Sequence, residues 1–185
     1  MNNNEMLEVV NEQDEVIGLE NRTKIHKEGL LHREVHIWFF TPRGEIIFQH
    51  RAKNKDTYPD RLDASVGGHV EPGMSYEETA VKECREETGI DIDSSELIFL
   101  TKSAERSIDT TTGLINNTIR AQYAYTHTQP IEALVVEEGE ILGFEVWSVE
   151  ILPRLAEEDK ERFIPFILSD ETLTLFETAR KKLSI

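Results

Sequence analysis

The amino-acid sequence predicts an α/β fold: a mixed β-sheet with helices on both sides and an N-terminal β-hairpin. Three stretches carry the prediction. Residues 30–41 alternate, with Val35, Ile37 and Phe39 on one side and His32, Glu34, His36 and Trp38 on the other, as a half-buried strand does. Residues 75–88 put Tyr76, Ala80 and Cys84 on one stripe at helical spacing, with Val81 beside it. Residues 169–183 repeat the helical pattern with Leu173, Leu175, Phe176, Ala179 and Leu183.

Taken in order, residues 5–10 and 16–20 are short strands around the turn Asn11-Glu12-Gln13-Asp14, after an Asn2-Asn3-Asn4 lead-in expected to be disordered. Residues 21–28 form a short helix stopped by Gly29. After the strand at 30–41, Pro42-Arg43-Gly44 turns the chain into a second strand at 45–50. A loop rich in Lys and Arg follows, then a third strand at 62–66. Glu71-Pro72-Gly73 turns into the helix at 75–88, with Ser75 as N-cap and Gly89 as its stop. Strands at 96–102 and 117–126 flank a polar stretch, 103–113, and a last strand at 143–148 carries Trp147. Residues 150–162 are expected to be helical despite Pro153. Trp38 and Trp147 read as core residues.

The chain has 185 residues, enough for one domain with a sizeable core. Its 20 Lys and Arg against 36 Asp and Glu leave a net charge of −16. That balance argues against a broad nucleic-acid or anionic-membrane surface, since both need basic footprints. It leaves room for a small phosphate-bearing substrate if local cations and a metal offset the field. A single cysteine excludes an intrachain disulfide and fits a reducing cytoplasm. No apolar run reaches the ~18 residues of a membrane span, and no signal-peptide pattern opens the chain.

The chemistry concentrates in residues 67–90, GGHVEPGMSYEETAVKECREETGI. Glu83, Glu86 and Glu87 stand at i, i+3 and i+4, so three carboxylates share one helix face. Like charges at that spacing repel by a few tenths of a kcal/mol per pair, which solvent or a cation must offset. Hard cations such as Mg2+ take oxygen ligands and leave places for water and substrate phosphate.

This segment resembles the Nudix box, G-x5-E-x7-R-E-U-x-E-E-x-G-U, over residues 68–90. Gly68 matches the opening glycine, and Glu83, Cys84, Glu86, Glu87, Gly89 and Ile90 match the closing run. Met74 stands where the family has Glu, and Lys82 where it has Arg. The resemblance sharpens the fold to a Nudix α/β/α sandwich, one domain over 1–185 with a helical extension from about residue 150. It implies hydrolysis of a diphosphate linked to another group, a nucleoside diphosphate derivative or similar, with Mg2+ (Mn2+ possible) as cofactor. It further implies that Glu83, Glu86 and Glu87 hold the metal with the Gly67 carbonyl, Glu86 and Lys82 serving catalysis. Lys82 keeps the charge of Arg without its planar fork, and Glu78 lies four residues earlier as a replacement partner. Of the loop cations Arg51, Lys53, Lys55 and Arg61, Arg51 and Lys55 are expected on substrate phosphate, with His69. One of Glu137, Glu138 and Glu140 is expected as a further carboxylate.

Beyond the box, the chain looks like the isopentenyl-diphosphate isomerase branch of the same superfamily. Leu31-His32 followed by Trp38, Arg51-Ala52 to Lys55, and Ser65-Val66-Gly67-Gly68-His69 fit it. In the isomerases three histidines and two glutamates hold a metal, and a Cys and a Glu transfer protons. Here His32 and His69 match two of those histidines and His26 falls one residue off the third. Gly67 occupies the catalytic Cys position and Asn116-Asn117-Thr118 lacks both carboxylates. Isomerase chemistry therefore has no evident acid and base. His26, His32, His36 and His69 remain candidates for a second metal. A non-catalytic diphosphate-binding module is the alternative that Met74 and Lys82 keep open.

Overall fold

The computed structural model describes residues 5–55, 57–136 and 139–185. Glu137, Glu138 and the Asn2-Asn3-Asn4 lead-in lie outside the described residues. Strands β1 (Met6–Val10) and β2 (Val16–Asn21) pair as an antiparallel hairpin, and α1 (Arg22–Glu28) follows directly. The Asn21 side chain accepts from Thr23 N–H, and Gly29 takes the left-handed conformation that ends α1.

Among the described residues the main sheet has seven strands: β3 (His32–Phe40), β4 (Ile46–Arg51), β5 (Leu62–Asp63), β6 (Val66–His69), β7 (Ile98–Ile108), β8 (Ile115–Thr126) and β9 (Ile141–Trp147). The path runs β5-β4-β3-β8-β7, with β6 also on β3 and β9 also on β4. The β3–β8 pair is parallel and the others antiparallel, so the sheet is mixed.

Each face of the sheet carries a core. One sets Val35, Ile37, Phe39 and Val66 against Ala80 and Cys84 of α2 (Tyr76–Thr88). The other sets Trp38, Phe40 and Phe48 against Phe163, Ile167 and the Phe176 and Ala179 of α4 (Asp170–Leu183). Each large apolar side chain buried this way contributes about 1.5–3 kcal/mol relative to exposure. This is the expected sandwich, and α4 belongs to its core rather than trailing from it.

Four expectations change. β3 is buried on both faces, because it sits mid-sheet between α2 and α4. The strand expected at 62–66 is two, β5 and β6. They are divided near Ser65, whose hydroxyl accepts from Phe39 N–H at 2.7 Å and donates to the Ile47 carbonyl. The polar stretch 103–113 is strand as far as Ile108. Residues 150–162 hold a 3-10 turn, Val149–Arg154, and a one-turn helix α3 (Glu157–Lys160), since Pro153 donates no backbone hydrogen bond.

Candidate functional site

α2 is built to hold its carboxylates still. The Ser75 hydroxyl caps Glu78 N–H at 3.2 Å and the Glu78 carboxylate returns to Ser75 N–H at 2.8 Å, a reciprocal cap of the kind that stabilises by about 1 kcal/mol. The helix presses Thr79, Ala80, Cys84 and Thr88 inward. Glu83 and Glu87 flank that stripe, one turn apart, against the Gly67–Gly68 backbone of β6. Glu87 Oε2 accepts two donors, Gln49 Nε2 at 3.0 Å and Gly67 N–H at 3.2 Å. Glu83 lies so close to Gly68 that a Cβ there would stand 2.5 Å from Glu83 Oε1. Gly68 is thus required by the approach of a carboxylate. Gly68→Ala should push the flexible Glu83 carboxylate aside while the fold holds. We expect Mn2+ affinity to fall at least ~10-fold with thermal stability little changed, read by calorimetric titration beside a melting curve.

The two carboxylates face a shortage of positive charge. Burial pushes Glu83 up to about 7, and the neighbouring Glu86 adds to the rise against the pull of Lys82. Burial likewise pushes Glu87 up to about 8, with Glu83 adding to it, although the Gly67 and Gln49 donors work the other way. Glu87 keeps some exposed surface, but that surface opens into a cavity and not into bulk water. Buried carboxylates one helical turn apart, with lysines too weakly placed to offset their burial, suit a hard divalent ion.

The cavity has a volume of ≈ 410 Å3 and runs from Glu87, Gln49 and Gly67 to an apolar wall of Ile164, Pro165 and Phe166. Arg51 and Lys55, expected on substrate phosphate, line it, and both have protein partners. Arg51 donates to Tyr58 O at 3.2 Å, Thr57 O at 2.9 Å and Asp63 Oδ2 at 2.9 Å, so its guanidinium organises the loop above the cavity. Among the described residues, the Lys55 ammonium pairs only with Glu140. Lys53 and Arg61 instead engage Asp60 at 3.5 Å and the Phe163 carbonyl at 3.0 Å.

Sequence reasoning missed Glu34 and Arg120 in this wall. They stand opposite each other on β3 and β8, with Arg120 Nη2 3.1 Å from Glu34 Oε2. Burial works against the Glu34 charge, but Arg120 and His36 hold its carboxyl well below the usual carboxylate range. The Arg120 guanidinium also lies 5.0 Å over the Phe166 ring. The available signal was a charge at an inward position of each strand, legible only once their pairing is known.

His26, His32 and His69 converge, with ring centroids 5.0–5.2 Å apart. His36 leaves the group and pairs with Glu34 at 3.2 Å. Nδ1 of His26 faces Ile115 O at 3.3 Å and Nδ1 of His32 faces Leu30 O at 3.0 Å. A carbonyl only accepts, so both rings carry the proton on Nδ1 and turn a bare Nε2 inward. Both Nε2 atoms are buried without a partner among the described residues. Burial, reinforced by His69, drops His26 to about 4 and His32 to about 3, keeping both neutral near pH 7.

The family model of the NUDIX domain matches residues 30–167. The chain belongs to the Nudix family. An uncharacterized Nudix hydrolase of Clostridium acetobutylicum is 31% identical over 158 residues, covering 81% of this chain and 73% of that one. Nudix hydrolase 3 of Arabidopsis thaliana is 26% identical over 98% of this chain, which spans only 24% of its length. The crystal structure of DR0079 from Deinococcus radiodurans is similar with a TM-score of 0.70 and 27% identity, over 95% of this chain and 99% of that one. The protein is a Nudix-type hydrolase by family and fold, and none of its described helices is long and apolar enough to cross a membrane.

Within the Nudix box, the expected gathering of three carboxylates is corrected in part. Glu86 is turned to the surface, where Lys82 Nζ donates to its Oε2 at 2.6 Å. Lys82 itself stands between Glu86 and Glu71, 3.2 Å from the latter, and neither Lys82 nor Glu86 lines the cavity. Partial burial lowers the Lys82 pKa, but the bonds to Glu86 and Glu71 and the nearby Glu83 outweigh it and hold the ammonium above its ordinary range. Glu78 is not its partner, because its carboxylate is spent on the Ser75 cap. Met74 is half-buried against the core beside α2. Glu71, three residues earlier, is the carboxylate that reaches Lys82 from this turn. An exposed pair such as Lys82–Glu86 contributes only about 0–1 kcal/mol, so a divalent ion can draw Glu86 away from it.

Proposed function

We propose that the chain is a cytoplasmic, metal-dependent hydrolase cleaving a phosphoanhydride bond in a diphosphate joined to a second moiety, such as a nucleoside diphosphate derivative. The observation that carries this reading is the buried Glu87 carboxylate lining a cavity sized for a small molecule, with Glu83 one helical turn away against the Gly68 backbone that also lines it. Glu83 and Glu87 would hold Mg2+, or Mn2+ in its place, with the Gly67 backbone beside them and Glu86 joining on release from Lys82. The ion would supply charge stabilisation at the phosphate oxygens and a more acidic water. Lys55, held by one carboxylate, is the cation most easily transferred to a substrate phosphate. Arg51 and His69 would border that phosphate, Arg51 mainly by fixing the loop. Glu86, or Glu140 at the cavity wall, would orient and deprotonate the attacking water. The apolar wall at Phe166 would take the second moiety.

The test is a panel of diphosphate compounds with Mg2+ or Mn2+, scored for release of phosphate or nucleoside monophosphate. Release that stops with chelator supports the reading. Diphosphate binding without any release makes the chain a binding module. Isopentenyl diphosphate rearranged without phosphate release makes it an isomerase.

A second reading adds another ion, because His26 and His32 present bare, buried Nε2 atoms. One ligand atom from each of His26, His32 and His69 lies within 4.8 Å of the others. A tetrahedral ion with N ligands at about 2.0–2.1 Å would draw these closer by small ring rotations. Asn116 and Thr118 bring no carboxylate, so the three imidazoles are the converging donors, with Glu5 Oε1 3.5 Å from His69 Nδ1 at their edge. Nitrogen-only ligation suits Zn2+ better than Mg2+. Equilibrium dialysis with Zn2+ should find one ion lost in His32→Ala while Mn2+ binding is kept. Equal Zn2+ uptake by both proteins would sink this second site.

A further inference from the structure

Gln49 is out of place by composition. It follows Ile46, Ile47 and Phe48 in β4, all buried, and is itself 5% exposed. A buried amide without partners costs about 1–3 kcal/mol, so its presence needs an explanation. Its NH2 group donates to Glu87 Oε2 at 3.0 Å, the same oxygen that receives Gly67 N–H at 3.2 Å. For the ionised form of Glu87 that would bind an ion, the amide orientation follows from chemistry, since the Gln49 carbonyl oxygen has no proton to offer a carboxylate. Two donors on one oxygen fix the carboxylate plane and leave Oε1 with no protein donor among the described residues.

We infer that Gln49 is a positioning residue that orients Glu87 for the divalent ion, holding Oε2 so that Oε1 is presented as the ligand. The inference rests on the proposed metal-dependent reading and deepens it. It also gives β4 a part in the site that no motif marks: the Nudix box supplies the carboxylate from α2, and a strand far from it in sequence sets its angle. Partners that orient metal ligands in this way typically cost about 10–100-fold in metal affinity when removed.

The test uses the full chain and Mn2+ alone, titrated calorimetrically into wild type, Gln49→Met, Gln49→Leu, Glu87→Gln and the Gln49→Met/Glu87→Gln double variant. Gln49→Met keeps length and volume, which guards against a packing defect that Leu could introduce. The expected result is affinity weakened about 10–100-fold in both Gln49 variants and no further loss when Gln49→Met is added to Glu87→Gln. A residue that acts through Glu87 has nothing left to act on once Glu87 is gone, whereas a packing role would add its effect in both backgrounds. Unchanged Mn2+ affinity in both Gln49 variants, or an equal loss in the Glu87→Gln background, overturns the inference and leaves the hydrolase reading standing. Wild type that binds no Mn2+ overturns both.

Discussion

Glu87→Gln should lower kcat by about three orders of magnitude, a loss of roughly 4 kcal/mol of transition-state stabilisation, while the fold melts no lower than wild type near pH 8. The two halves of that result have one cause. Glu87 is held where a carboxylate is costly, since burial and Glu83 raise it to about 8. Glutamine keeps an acceptor for Gln49 and Gly67 N–H and carries no charge, so the ion-free protein loses nothing by the change. The divalent ion loses a ligand. Steady-state kinetics on a hydrolysed substrate, beside a melting curve, separates the effects. Full activity, or collapse of the fold, would show that Glu87 serves packing.

Stability should fall as pH rises through neutrality in ion-free protein, and a divalent ion should reverse the trend. Glu83 and Glu87 have folded pKa values raised to about 7 and about 8 from an ordinary 4.5. Between those limits the folded state binds more protons than the unfolded one, so the stability they lend is full below about 4.5 and is lost as pH climbs through 7 and 8. His26 and His32 act oppositely, because their folded values are depressed to about 4 and about 3. Their cost to stability is felt as pH drops below about 6.5. Between that pH and about 8 the carboxylates dominate, before the buried Cys84 thiol, whose pKa is also raised by burial, adds a loss of its own near pH 9, which makes about pH 6.5 to 8 the window to measure. An ion at one hundred times its Kd stabilises by about 2.7 kcal/mol, which is roughly 5–11 °C in Tm for a chain of this size. The Tm gain with Mn2+ should grow from pH 6 to pH 8.5 in wild type and vanish in the Glu83→Gln/Glu87→Gln double variant. A gain independent of pH would mean that the ion binds elsewhere.

Much of the fold was legible because its signals are local. Ser75 and Gly89 bound α2 as their chemistry requires, and Asn21 and Gly29 bound α1. β7 was cut short because it is an edge strand with its far half exposed, so residues 103–108 show no apolar alternation to read. The half-burial expected of β3 failed because periodicity within one strand does not report a helix packing on its second face.

The site divides along the same line. Glu83 and Glu87 were found because the Nudix box is a contiguous spacing on one helix. Glu86 was grouped with them because spacing fixes a helix face but not the direction of a side chain, and Lys82 captures it. Arg51 and Lys55, expected on substrate phosphate, line the cavity, but their partners Asp63 and Glu140 become visible only with the sheet assembled. Gln49, Glu34 and Arg120 reach the site through strand pairings and long-range contacts that no local pattern encodes.

The most direct test of the whole account is the electron paramagnetic resonance spectrum of Mn2+ mixed with wild type, Glu83→Gln and Glu87→Gln, with and without inorganic pyrophosphate. Wild type should give a protein-bound signal that broadens or shifts with pyrophosphate, and each variant should lose it or show it greatly weakened. The same bound signal in all three proteins would contradict the account.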